Sequence, residues 1–186
     1  MGKGVEFDTN LKLSEEQVRG QFSVFNPNFR GTDTSLFTNV QSLTTDRMAA
    51  YGYKNTKTGV SFGTRFEYYE DLFLVPSFSS FYETLKTTTS ASNNLKKQKG
   101  DYFDAYFNYG LDYDMRNQRY QATDGSRTYF AQQLPLISEN SEIINTFEVS
   151  KYKTLVSDMV GKISFYSQTA NSLTDDDVRI SKRLYV

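Results

Sequence analysis

The sequence predicts an all-β chain, an antiparallel up-and-down meander of about nine long strands, and three observations carry that expectation. Residues 101–114, DYFDAYFNYGLDYD, alternate without a break: Phe103, Ala105, Phe107, Tyr109, Leu111 and Tyr113 share one face, and Tyr102, Asp104, Tyr106, Asn108, Asp112 and Asp114 share the other. Period two is the signature of a strand. A strand of this length is about twice the ~5 to 6 residues usual in globular sheets, whereas ~9 to 11 tilted residues already cross a bilayer. Aromatic residues make up 16% of the chain, with 14 Tyr and 15 Phe but no Trp, a composition suited to strands and to interfacial girdles.

Composition narrows the chemistry. With no Cys and no His, the chain holds no thiol nucleophile, no imidazole base and no Cys/His zinc site. A net charge of -1 gives no field that would draw nucleic acid or acidic lipid. No run of 18 apolar residues is present, so no transmembrane helix is expected. A mean hydropathy of -0.59 still permits a barrel with a polar lumen. The first ten residues, MGKGVEFDTN, lack the basic and apolar regions of a secretory signal.

In chain order, Val5, Phe7, Leu11 and Leu13 alternate with Glu6, Asp8, Asn10 and Lys12 as the first strand. After Ser14-Glu15-Glu16-Gln17 the second carries Val18, Phe22 and Val24, and Pro27 ends it because proline cannot donate to a ladder. The third runs near Ser35 to Leu43. Residues 45–57 break the period and read as a long loop, with Asp46 placed to cap one helical turn through Met48 and Ala50. Val60 to Tyr68 and Leu72 to Tyr82 form a tight pair around Glu70-Asp71, and Pro76 predicts a bulge or an interrupted ladder there. Residues 85–100 are polar and Ser/Thr-rich, a second long loop whose Lys96, Lys97 and Lys99 are expected in solvent. The strand at 101–114 is followed by a polar link and Asp124-Gly125, which turns into the strand at Thr128 to Leu136. Ile143 to Leu155 and Met159 to Thr169 then join through Val156-Ser157-Asp158. Long connections are expected to gather at one rim and tight turns at the other.

The acidic clusters Asp112/Asp114 and Asp175-Asp176-Asp177 fit a lumen wall and a solvated loop better than a catalytic or metal site, because spacing alone supplies neither cleft nor further oxygen ligands. Gly59, Gly63, Gly110 and Gly161 match no phosphate loop and mark bends or close backbone approach. Tyrosines 51, 53, 68, 69, 102, 113 and 120 are candidates for an interfacial girdle. Alternation does not say which face is inward: a lipocalin-like barrel buries its apolar face, whereas a membrane barrel shows it to lipid.

Three stretches bear on that choice: FSVFNPNF at 22–29, FNYGLDYDMRNQRYQATDGSR at 107–127 and DDDVRISKRLYV at 175–186. Together they resemble the barrel domain of the BamA-type outer-membrane assembly factors, the bacterial surface antigen family. The middle stretch is the most specific, since the family pairs an N-Y-G-type strand end with a turn of the P-T-D-G type. Here Ala122 stands at the proline position and Thr123, Asp124 and Gly125 are kept, while Asn26, Pro27, Asn28 and Phe29 resemble the family's N-P-[YN]-F strand end. The resemblance implies that residues 4–169 are similar to strands three to eleven of a sixteen-strand transmembrane barrel, an open and curved interior piece without the POTRA domains, the R-G-F loop and the gate strands. It implies Phe103, Phe107, Leu111, Val60, Phe62 and Phe66 facing lipid, with Asp104, Asp112, Arg65 and Glu67 inward.

It further implies a non-enzymatic protein of the bacterial outer membrane that inserts client β-barrel proteins with accessory lipoproteins, by offering a free strand edge for pairing. No cofactor, metal, nucleic acid or small-molecule substrate is expected. Related two-partner secretion or TamA-like pores, and a soluble ligand-binding barrel, are the alternatives.

Overall fold

A computed structural model describes residues 4–139, 141–156 and 159–174, together with Arg179 and Lys182. Its strands are β1 (Glu6–Leu13), β2 (Gln17–Asn26), β3 (Ser35–Arg47), β4 (Tyr53–Tyr69), β5 (Leu72–Leu74), β6 (Ser77–Thr87), β7 (Gly100–Asp114), β8 (Gly125–Ile137), β9 (Glu142–Val156) and β10 (Met159–Ser172). They form one sheet in which every pair is antiparallel and neighbours follow chain order. The count of ten still gives nine places in the meander, because β5 and β6 both sit between β4 and β7.

Pro76 is the cause of that division. The register does not shift across it, since Phe66 pairs with Leu74 and Gly63 with Ser77 on one side, and Leu111 with Leu74 and Asn108 with Ser77 on the other. The ladder is therefore interrupted without a bulge. Val75 and Gly110 still exchange both backbone bonds, at 2.9 and 3.0 Å. A register shift lies instead between Glu67 and Tyr69, beside the Asp71 turn residue at φ 61°.

Residues 45–57 are not a long loop. β3 continues to Arg47 and β4 starts at Tyr53, leaving a helical turn α1 (Met48–Tyr51), whose Met48 N–H donates to Asp46 Oδ1 at 3.2 Å. The apolar period fails here because the ends of these strands are polar on both faces, held by Thr44–Thr56 at 3.2 Å and Lys54–Asp46 at 2.9 Å. The second loop shortens to 88–99 around α2 (Asn93–Lys97), which Ser92 caps by accepting from Leu95 N–H. As expected the two connections meet at one rim, where Thr88 N–H donates to Gly52 O at 2.8 Å. A Cβ at Gly52 would stand 2.6 Å from Thr88 Oγ1, so the contact needs glycine there.

The expected contrast between long and tight rims does not hold. Links 14–16, 48–52, 88–99 and 138–141 share one rim, and 27–34, 70–71 and 115–124 share the other, so each rim has at least one long connection and at least one short one. The turn expected at 156–158 lies partly outside the described residues.

Cross-strand partners lie on the same face of a sheet, so register assigns the faces. Phe62, Phe78 and Phe107 form one row, with ring centroids 5.6 and 5.1 Å apart. Phe66, Leu74, Leu111, Phe130 and Phe147 form another. Phe62 is 55% exposed and Phe103 50%. On the opposite face Asp104 is 0% and Asp112 4% exposed. Side chains crowd on the polar face and splay on the apolar one, which makes the polar face the inner one and places both expected sets as the resemblance implied. Of the proposed tyrosine girdle, Tyr69 and Tyr113 stand on the apolar face near one rim, whereas Tyr102 and Tyr53 fall on the inner face and do not belong to it.

Candidate functional site

The inner face concentrates charge at two places. Alternation turns Glu83 on β6, Tyr102, Asp104 and Tyr106 on β7 inward, and the start of β9 adds Glu142. Arg179 and Lys182 lie among them. The Arg179 guanidinium bonds Asp104, stands 3.7 Å from Glu83 and lies 4.4 Å over the Tyr102 ring. Lys182 bonds Glu142 and the Tyr106 hydroxyl and is 3.1 Å from Asp104. Ser138 donates to Asp104 at 2.6 Å. Two cations thus sit between three carboxylates, all buried. Burial opposes the Arg179 charge, but Asp104 and Glu83 outweigh it and hold the guanidinium above its ordinary value.

The second cluster lies toward the opposite rim. Asp112 accepts from Arg127 at 2.7 and 3.1 Å and from Arg65 at 3.2 Å, and the Arg65 guanidinium stacks 3.5 Å over Phe73. Arg116 is bidentate to Asp114 at 2.7 and 2.6 Å, which raises its guanidinium above the ordinary value. Such bidentate pairs fix orientation as well as charge. Among the described residues no cluster of acidic side chains is arranged to hold a metal ion.

The sequence motifs fall at that same rim. Thr123, Asp124 and Gly125 open β8 and are gathered by Asn117, whose Oδ1 accepts from Thr123 N–H at 3.1 Å and Asp124 N–H at 3.2 Å. Gly125 has φ +99°, and a Cβ there would stand 2.2 Å from Met115 O. Lys153 reaches Asp124 at 2.8 Å, and this contact with the Gly125 N–H holds the carboxyl below its usual range. Asn26 ends β2 and its Oδ1 accepts from Asn28 N–H at 3.3 Å, Pro27 stops the ladder, and Phe29 starts a short 3-10 turn, Phe29–Gly31. The two motifs share a rim, and Gly125 packs against the backbone of Met115 and Arg116, so the second motif adjoins the second cluster.

Glu83, Glu142, Arg179 and Lys182 were not singled out by sequence. The signal available was the inward parity of Glu83 beside Asp104; the pairing with residues 75 and 76 positions further on had no local trace. Asp175, Asp176 and Asp177 lie outside the described residues.

The fold and its polarity define a class: a wall of a membrane β-barrel, with charges inside and aromatic rings outside. The chain matches the Omp85 superfamily domain over residues 1–186 and belongs to that superfamily. Among solved structures it is similar to the crystal structure of BamA from Haemophilus ducreyi lacking POTRA domains 1-3, with a TM-score of 0.71 and 20% identity over 92% of this chain. The chain spans 36% of the length of that structure. No curated protein sequence matches it. The family is one of outer-membrane protein insertion and translocation, a non-enzymatic barrel family.

Proposed function

We infer that this chain forms part of the barrel of an outer-membrane assembly factor, which folds client β-barrel proteins and inserts them into the bacterial outer membrane. The observation that carries the reading is the superfamily match along residues 1–186 on a sheet of inverted polarity, with Asp104 and Asp112 buried on one face and Phe62 and Phe103 bare on the other. In this reading the nine places of the meander are consecutive strands of a larger, sixteen-strand barrel preceded by POTRA domains, and Asn26 to Phe29 and Thr123 to Gly125 shape strand ends without taking part in chemistry. Insertion needs no covalent step, because templated backbone pairing satisfies the client's hydrogen bonds as it enters hydrocarbon.

Depletion of the full-length protein in its own cells tests this. The expected result is a broad fall in heat-modifiable, folded outer-membrane barrels, restored by the parent gene. Loss of a single secreted substrate with normal barrel levels would assign the protein to the translocation branch instead.

A further inference from the structure

The sheet loses a ladder bond at Pro76, and a cavity lies beside it on the outer face. Because the register runs unbroken through the Pro76 interruption, Thr64 is opposite Pro76. Thr64 N–H donates to Pro76 O at 3.0 Å, but the reciprocal bond is impossible since proline has no N–H. The Thr64 carbonyl is left without its ladder donor. Its own hydroxyl is committed elsewhere, to Ser35 O at 2.9 Å. In a membrane wall an unsatisfied backbone group costs several kcal/mol, so this acceptor demands a partner.

The space beside it is about 310 Å³, at the lower end of the ~300 to 1,000 Å³ usual for small-molecule sites. By strand parity its walls are outward side chains, namely Leu36, Thr38, Phe62, Thr64, Pro76 and Phe78, with Gly63 contributing no side chain to the floor. Phe62 and Phe78 stack at 5.6 Å and stand up as one side of the groove. Water would satisfy the carbonyl but not these apolar walls, and a plain hydrocarbon chain would fill the groove while leaving the carbonyl bare. One occupant answers both demands.

We propose that the groove at Pro76 binds an acyl chain of the surrounding membrane lipid that carries a hydrogen-bond donor, a hydroxyl or amide N–H. The donor bonds the Thr64 carbonyl and the chain lies along Leu36, Phe62 and Phe78. The inference rests on the outer face meeting lipid but not on the assembly activity, and its test reads lipid binding alone.

The full-length protein is purified in detergent, delipidated and offered equal amounts of a phosphatidylethanolamine with one hydroxylated acyl chain and the same lipid without the hydroxyl, and bound lipid is read by native mass spectrometry. The parent is expected to favour the hydroxylated lipid by roughly two- to tenfold, the range a single net hydrogen bond supplies. Pro76→Ala returns the N–H to the ladder and should bind both lipids alike. Thr38→Phe fills the groove without touching the carbonyl and should lower binding of both. Heat-modifiable migration checks that each variant is folded. No preference in the parent, a preference that survives in Pro76→Ala, or undiminished binding in folded Thr38→Phe would each overturn the proposal.

Discussion

The two faces of β4 to β7 are made by the same strands and obey opposite rules. Inward, Asp112 is shared by Arg65 and Arg127, and Asp104 by Arg179, Lys182 and Ser138. Outward, Phe78 packs between Phe62 and Phe107, and Phe62 and Phe78 stay exposed. A water-soluble barrel reverses this arrangement. The inner face is held by directional, mutually dependent ion pairs, whereas the outer face is held to its surroundings by transfer of apolar area, so a single change should act differently on each.

The largest effect is expected where a buried charge loses its partner. Asp104→Leu removes the carboxylate that Arg179 and Lys182 share in a buried site, and breaking a buried pair costs about 3 to 5 kcal/mol. Urea unfolding of the full-length barrel in lipid vesicles measures it, and a change under about 1 kcal/mol would show the cluster to be hydrated and the inner face unlike the one described.

On the outer face Phe107→Arg should cost about 2 to 4 kcal/mol near the membrane midplane in the same assay. Its chain neighbour Asn108 points inward, donating to Ser79 at 3.1 Å, and Asn108→Ser should cost about 1 kcal/mol or less. Equal costs at the two positions would erase the distinction between the faces.

At the rim the comparison is with backbone conformation. Gly125→Ala should destabilise by about 1 to 3 kcal/mol, since φ +99° strains any side chain and the Cβ meets Met115 O. Vesicle unfolding with Ser126→Ala as a neighbour control separates this from a general loss of polarity.

The smallest effect belongs to the exposed Asp124–Lys153 pair. The Asp124 pKa is lowered on folding from an ordinary 3.8, so the pair stabilises above that value and its contribution disappears as pH falls through the lowered one. Asp124→Asn should flatten only this acid limb of the stability profile and leave neutral pH nearly unchanged.

How much of this was legible in the sequence depends on range. The strand at 101–114, the stop at Pro27, the break at Pro76 and the helical turn beside Asp46 follow from the i, i+2 pattern and from proline's missing donor, both properties of a few adjacent residues. The strand continuations at 44–47 and 53–57 were missed because Thr and Asn on both faces carry no apolar period. The sides of the sheet were legible as two sets, but alternation is symmetric and did not name the inner one. Tertiary structure decided that, by placing Arg179 and Lys182 against Asp104, Glu83 and Glu142 and by setting Arg127 across from Asp114 with its guanidinium on Asp112. Such pairings depend on register and on a chain return of 75 residues or more between Asp104 and Arg179, and no local property of either segment encodes them. The sequence by itself determined where strands run and stop, because backbone donors and side-chain parity are local; only the folded sheet decided which charges meet, because Coulomb attraction acts on distance in space.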